Sequence, residues 1–176
     1  MPLLNLPNSL LLVVDLQTRL MPAIHDGARV VANAARLLEA GRLLAVPVVV
    51  TEQNPDKLGA TAPELAGLPP AIAKMSFDAC AEPAVLEALD GGRDIVLCGC
   101  EAHVCVGQTA LTLLERGRRV VVVQDAVGSR APESREVAIR RLAAHGAEIV
   151  TTEMVLFEWL RTAAHPQFRT ISKLIR

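Results

Sequence analysis

Cys105 is the side chain whose setting in the sequence best suits covalent chemistry. Gly99 closes an apolar run, residues 100–104 make a turn, and Cys105 opens a helix-like stretch. A thiol at a helix N-terminus feels the positive end of the dipole, which favours the nucleophilic thiolate. Backbone N–H groups of such a turn can face a developing oxyanion. A buried, inert cysteine is the competing reading of the same segment. Asp15 ends the fully apolar run 10–14, where a carboxylate either caps the next helix or serves as an acid or base. Lys74 stands in Ala73-Lys74-Met75-Ser76-Phe77. It reads either as a surface lysine or as an ammonium that stabilises an aspartate and a thiolate. Cys80, Cys98 and Cys100 read as inert thiols. His103 lies two residues before Cys105, but neighbouring turn residues rarely point at each other. His25, His145 and His165 read as surface or helix-end residues.

The elements that must position these groups follow a β-α-β rhythm. Apolar runs at 10–14, 45–50, 94–97, 120–123 and 147–150 are continuous rather than alternating. That pattern suits strands of a parallel sheet, buried on both faces. A short sixth strand is weakly marked at 71–73. Helical spacing occupies 28–44, 82–89, 106–114, 133–144, 153–160 and 168–175. Asp90-Gly91-Gly92 stops the second of these, and Pro132 sits at the start of the fourth. The stretch 53–70, rich in Pro, Gly and Ala, is the longest expected loop. The reading is an α/β fold of one domain over 1–176: a doubly wound parallel sheet of about six strands with helices on both faces. Such folds bind ligands beyond the carboxyl ends of the strands, near the point where strand order reverses. Asp15, Glu52, Asp125 and the segment 100–105 become neighbours there.

Composition removes several function classes. The chain has 176 residues, 51% of them hydrophobic, with 18 basic and 19 acidic side chains and a net charge of −1. That balance offers no basic surplus for a phosphate backbone, so nucleic acid is not an expected partner. The run Arg116-Gly117-Arg118-Arg119 reads as a solvated turn. No apolar run reaches the roughly 18 residues of a membrane span. The N-terminal segment lacks the charged start and cleavage site of a signal peptide, so the cytoplasm is the expected compartment. Four cysteines in or beside apolar segments are then expected to be free thiols. No GxGxxG follows the first strand, and no P-loop or GxSxG occurs. Gln17 stands where an aspartate-type phosphotransfer site would need a second carboxylate.

Three segments together resemble the isochorismatase-like cysteine hydrolases. They are Leu11-Leu12-Val13-Val14-Asp15-Leu16-Gln17, then Lys74, then Gly99-Cys100-Glu101-Ala102-His103-Val104-Cys105-Val106-Gly107-Gln108-Thr109-Ala110. Thr51-Glu52-Gln53-Asn54-Pro55, Leu58-Gly59, Asp125-Ala126-Val127-Gly128-Ser129-Arg130 and the ending 168–175 look closest to the isochorismatase domain-containing subgroup. The resemblance spans nearly the whole chain and implies a Rossmann-like sheet and an Asp-Lys-Cys triad. Asp15 would take the thiol proton, Lys74 would orient and tune the pair, and Cys105 would attack a carbonyl carbon of a small amide. A thioester would form and water would release the acid. The oxyanion hole would be the backbone N–H groups of Glu101 and Cys105, with a non-proline cis peptide between Cys100 and Glu101.

Departures from the family pattern narrow this expectation. Nicotinamidases of the family carry a metal site with several histidines between the second strand and the lysine. Residues 51–73 contain no His, so neither a catalytic metal nor a cofactor is expected. The aromatic on which those enzymes stack a pyridine ring is replaced by Leu20. Isochorismatases proper need no cysteine nucleophile, so Cys105 argues against isochorismate and its vinyl ether. The expected partner is a small molecule, lined by Gln17, Leu20, Glu52, Gln53 and Phe77. The family commonly assembles, so the resemblance, together with the apolar excess and the segment 153–160, implies a homo-oligomer, dimer or tetramer. The rival readings are a catalytically inactive or non-enzymatic scaffold that keeps the fold, a vinyl-ether (isochorismate-type) hydrolase, and a thiol-redox protein using Cys100.

Overall fold

In the computed structural model, which describes residues 2–175, six parallel strands form one sheet in the order β3-β2-β1-β4-β5-β6. The strands are β1 (Ser9–Val14), β2 (Val48–Gln53), β3 (Ile72–Lys74), β4 (Asp94–Cys100), β5 (Val120–Gly128) and β6 (Glu148–Val150). The helices are α1 (Gly27–Leu44), α2 (Pro55–Leu58), α3 (Pro83–Ala88), α4 (Cys105–Glu115), α5 (Pro132–Ala144), α6 (Thr152–Leu160) and α7 (Phe168–Ile171). Every strand pair is parallel. The expected doubly wound sheet and its sixth strand are therefore present.

Successive side chains of a strand face opposite sides, and two apolar clusters result. Leu11, Val13, Val50, Val96, Cys98 and Val121 pack with α1 and α6 on one face. Leu10, Leu12, Val14, Val49, Ile95, Leu97 and Val122 pack with α3, α4 and α5 on the other. The strands read as continuous apolar runs because both faces are covered. α1 turns Val30, Ala34, Leu37 and Gly41 inward at helical spacing. It ends at Leu44, is capped by Ala45 in the left-handed region (φ 57°), and Pro47 follows. This is why β2 begins at Val48 rather than at 45.

Several expectations are corrected. The stretch 53–70 is not one open loop: it holds α2 and a 3₁₀ turn at Pro63–Leu65. β5 continues past Val123 to Gly128, after a register shift against β4 between Leu97 and Gly99. The last helix stops at Ile171. The 116–119 segment is not merely solvated. Arg118 donates to the carbonyls of Leu89 and Arg93, and Arg119 pairs with Asp94 and Glu148. Among the described residues no helix is long and apolar enough to cross a membrane.

Strand order reverses between β1 and β4, so the crevice of a doubly wound sheet lies at their carboxyl ends. Gly99 allows the two strands to meet there. Its φ is 127°, and a Cβ at this position would run into the Val14 carbonyl. Only glycine fits, one residue from Asp15 in the facing strand.

Candidate active site

Asp15 leaves β1 with φ 52°, an uncommon backbone state for a non-glycine residue that recurs at functional sites. Its side chain is fully buried. A buried carboxylate is tolerated only where it is paired and hydrogen-bonded, and both conditions hold. Lys74 Nζ, also fully buried, lies 2.7 Å from Asp15 Oδ2. Thr51 Oγ1 donates to Asp15 Oδ1 at 2.7 Å.

Lys74 ends β3 and reaches this point because β3 lies beside β2, where Gln53 pairs with Lys74 in register. Its ammonium also donates to Gln53 Oε1 at 2.9 Å and to the carbonyls of Ser76 and Phe77 at 3.1 and 3.4 Å. A lysine so held is a fixed point charge, not the surface residue that its sequence position also allowed.

Cys105 opens α4 and is 6% exposed. Its thiol lies close enough to Asp15 and Lys74 for both to act on its ionisation. Burial pushes the thiol up to about 12, the Asp15 charge adds to the rise, and Lys74 opposes it. The free protein thus holds Cys105 as a thiol, in contrast to the thiolate that a helix N-terminus alone would favour. Cys80 answers to a different set of charges, Asp78, Arg116 and Arg118. Cys98 and Cys100 pack against the opposite face of the sheet from Cys105. All four cysteines are free.

The turn between β4 and α4 contains the cis peptide Cys100–Glu101. Ala102 N–H donates to Gly128, and the Val104 and Val106 N–H groups both donate to the Glu101 carbonyl. Among the described residues, the N–H groups of Glu101 and Cys105 donate to no backbone carbonyl outside regular elements. They are available to an oxyanion.

The expected lining residues divide. Gln53 joins the site, but as an acceptor for Lys74; its Nε2 donates to the Met75 carbonyl. Gln17, also expected to line the site, is fully buried, and its amide is engaged within the protein. Its Nε2 donates to the carbonyls of Gln53 and Gly59, and its Oε1 accepts from Gln53 N–H. Glu52 lies on the Val50 side of β2, away from Thr51 and Gln53, and accepts from the Thr61 N–H and hydroxyl. Leu20 packs at the edge of the cluster beneath α1. Phe77 and Met75 are exposed beside the Lys74 loop, at 52% and 69%. His103 Nδ1 pairs with Ser129 Oγ at 3.0 Å instead of turning to Cys105. Thr51, Ser129 and Arg130 were missed by reasoning from the sequence. Thr51 had one available signal, a hydroxyl at the end of an apolar strand beside the strand that ends in Asp15.

Among the described residues, no group of three or more His, Cys, Asp or Glu side chains is arranged to hold a metal ion.

Comparison with known proteins bears on the family and the fold. Residues 9–154 match the isochorismatase domain model. Isochorismatase domain-containing protein 2 of Danio rerio is 43% identical over 98% of this chain and 89% of its own length. A solved structure from Caenorhabditis elegans, named as a MAR1 ribonuclease, superposes with a TM-score of 0.94 at 38% identity, covering 99% of this chain and 92% of its own. YcaC from Pseudomonas aeruginosa, solved with hexane-2,5-diol and covalent acrylamide, gives a TM-score of 0.87 at 26% identity, covering 98% and 95%. With the fold, the family model and these relatives in agreement, the chain belongs to the isochorismatase family.

Proposed function

We propose that this protein is a cysteine hydrolase that cleaves a small amide or related C–N bond through a thioester on Cys105. The observation that carries the reading is the buried Asp15–Lys74 pair, which acts on a thiol at the start of α4 beside unengaged N–H groups. Asp15 takes the Sγ proton as the sulfur attacks the carbonyl carbon. The carbonyl π electrons move to oxygen, which the Glu101 and Cys105 N–H groups receive. The tetrahedral species collapses, the C–N bond breaks, and the nitrogen leaves with the proton held by Asp15. Water then attacks the thioester with Asp15 again as base. The acid departs and the sulfur regains a proton. Lys74 keeps Asp15 in place and offsets its charge. No metal or cofactor is needed for these steps.

The thiol-redox rival is weakened by the packing of Cys98 and Cys100 across the sheet from Cys105. A scaffold role leaves the buried pair beside the thiol unexplained. One structural relative is named as a ribonuclease. Phosphoryl transfer needs cationic groups facing the phosphate, whereas here the Lys74 ammonium already meets Asp15, Gln53 and two carbonyls. The covalent acrylamide in YcaC shows that a protein of the same fold can be modified by an electrophile. Four free thiols accord with the cytoplasm. Exposed Leu3, Met154 and Phe157 around α6 would suit a homo-oligomer.

The test is a panel of small amides and ureides, with an RNA oligonucleotide and a vinyl ether as controls, against wild type and Cys105→Ala. Intact mass should show an acyl adduct on the wild type alone. Undiminished turnover by Cys105→Ala, or turnover of RNA only, would sink the reading.

A further inference from the structure

We propose that the Glu101–Arg130 ion pair is a positioning device for the nucleophile turn: it fastens residues 101–105 to the end of β5 so that the Glu101 and Cys105 N–H groups stay aimed at the oxyanion. The inference rests on the proposed acyl transfer at Cys105.

Three consecutive residues of the turn are tied to three consecutive residues at and beyond the end of β5. Glu101 Oε2 accepts from the Arg130 backbone N–H at 2.9 Å, and both carboxylate oxygens lie 3.1 Å from Arg130 Nε. Ala102 N–H donates to the Gly128 carbonyl at 2.7 Å. His103 Nδ1 meets Ser129 Oγ at 3.0 Å, and Ser129 is itself buried. The Ser129 carbonyl in turn accepts from His25 N–H, so the β5 end is anchored independently. The turn therefore rests on a fixed ledge at each of its first three residues.

A stability role explains the pair poorly. Arg130 is 64% exposed, and an ion pair with one arm in water contributes little. Its location is more telling. Glu101 carries one of the two oxyanion donors on its own backbone, and its side chain is 10% exposed. A carboxylate set loose here would oppose a developing negative charge. Arg130 holds it toward β5 and neutralises it. The ionisation of Cys105 responds to Asp15 and Lys74, whereas the Glu101 charge bears on Cys100, across the sheet. The pair therefore stands apart from the charges that tune the thiol and acts on the turn.

Two reactions of the same thiol separate these roles. Alkylation by iodoacetamide displaces iodide and forms no oxyanion. Acylation by p-nitrophenyl acetate passes through a tetrahedral oxyanion. Both are measured on wild type, Arg130→Ala and Arg130→Lys, with Cys105→Ala as the blank and intact mass to locate the acyl group. Losing one oxyanion donor outright costs about 100-fold or more, so a loosened donor should slow acylation in Arg130→Ala by about tenfold. Alkylation by the same variant should match wild type. Arg130→Lys, which keeps a cation beside Glu101, should recover part of the acylation rate. Glu101→Gln, which keeps the shape but not the charge, should slow acylation as well. Equal loss in both reactions, or full acylation by Arg130→Ala, overturns the proposal and leaves the hydrolase reading standing. A wild type that is never acylated on Cys105 overturns both.

Discussion

Thr51 Oγ1 donates to Asp15 Oδ1, the oxygen that Lys74 leaves free, while Lys74 Nζ holds Oδ2. The carboxylate is thus gripped from β2 and from β3 at once. Register creates this grip: Thr51 pairs with Val14, the residue before Asp15. Thr51→Val keeps the shape and removes the donor. A buried acceptor that loses its partner costs about 1–3 kcal/mol, and the variant should lose that much stability. Turnover should fall as well, because Asp15 gains freedom to turn. A melting curve and a kcat measurement check the two effects separately; unchanged kcat would show that Lys74 alone orients the acid.

Asp15 and Lys74 should behave as one unit in stability. Removing either partner leaves an uncompensated buried charge, which costs about 3–5 kcal/mol. Lys74→Met and Asp15→Asn should each destabilise by that order. The double variant should be more stable than the sum of the two losses predicts, since neither charge remains. Denaturant unfolding of the four proteins measures the coupling, and simple additivity would contradict the pairing.

The Asp15 charge helps to raise the Cys105 thiol, and the Lys74 charge lowers it. Asp15→Asn should therefore bring the thiol down toward its ordinary range, and iodoacetamide should react faster at a fixed pH near 8. The same variant should lose hydrolysis, because no base remains to take the proton. Lys74→Met should shift reactivity the other way. In the wild type the alkylation rate should keep climbing from pH 7 to 10 without a plateau, since the thiol is pushed up to about 12. A plateau below pH 9 would overturn this account.

Buried thiols also make the fold sensitive to alkali. Burial raises Cys98 from 9.0 to about 12, and it raises Cys80 and Cys105 to about 12 as well. The unfolded chain releases these protons near pH 9, whereas the folded chain keeps them. Stability from these groups is thus complete below pH 9 and is lost as pH rises toward 12. The melting temperature should hold steady from pH 7 to 8.5 and fall beyond it. Cys98→Ala, whatever its midpoint at pH 7, should show a shallower fall.

Asp15, Lys74 and Cys105 stood out because each interrupts a pattern (a charge after an apolar strand, a charge beside a short one, a thiol after a strand-closing glycine), but only the family resemblance joined them; their proximity is what the structure adds. The six strands were legible because burial on both faces leaves continuous apolar runs. Partners such as Thr51 for Asp15, or Arg130 for Glu101, were not legible. They depend on register between strands distant in sequence, and apolar runs without alternation carry little register information. Glu52 and Gln53 show the same limit. Adjacent residues at one strand end face opposite sides of the sheet, and the sequence does not say which side holds the thiol. The extension of β5 to Gly128 was hidden because Gln124 and Asp125 resemble a strand end, yet a shift in register lets pairing resume beyond them.

Gln17 offers a direct contrast between support and ligand contact. Its amide holds the Gln53 backbone by two bonds and the Gly59 carbonyl by a third. Gln53 in turn accepts from Lys74, so the chain of contact runs from Gln17 through β2 to the ammonium. Gln17→Ala would leave these backbone groups without partners in a buried place. A loss of about 3 kcal/mol is expected, in line with about 1–3 kcal/mol per unsatisfied group. If Gln17 touched substrate, the variant would instead raise KM and melt normally. The expected pattern is the reverse: a lowered melting temperature, with KM for small amides close to wild type where the variant remains folded. Gln17→Glu is a finer probe, since it keeps the acceptor for Gln53 N–H but sets a carboxylate oxygen against two carbonyls. It should be at least as destabilised as Gln17→Ala, an ordering that a role in ligand contact gives no reason to expect.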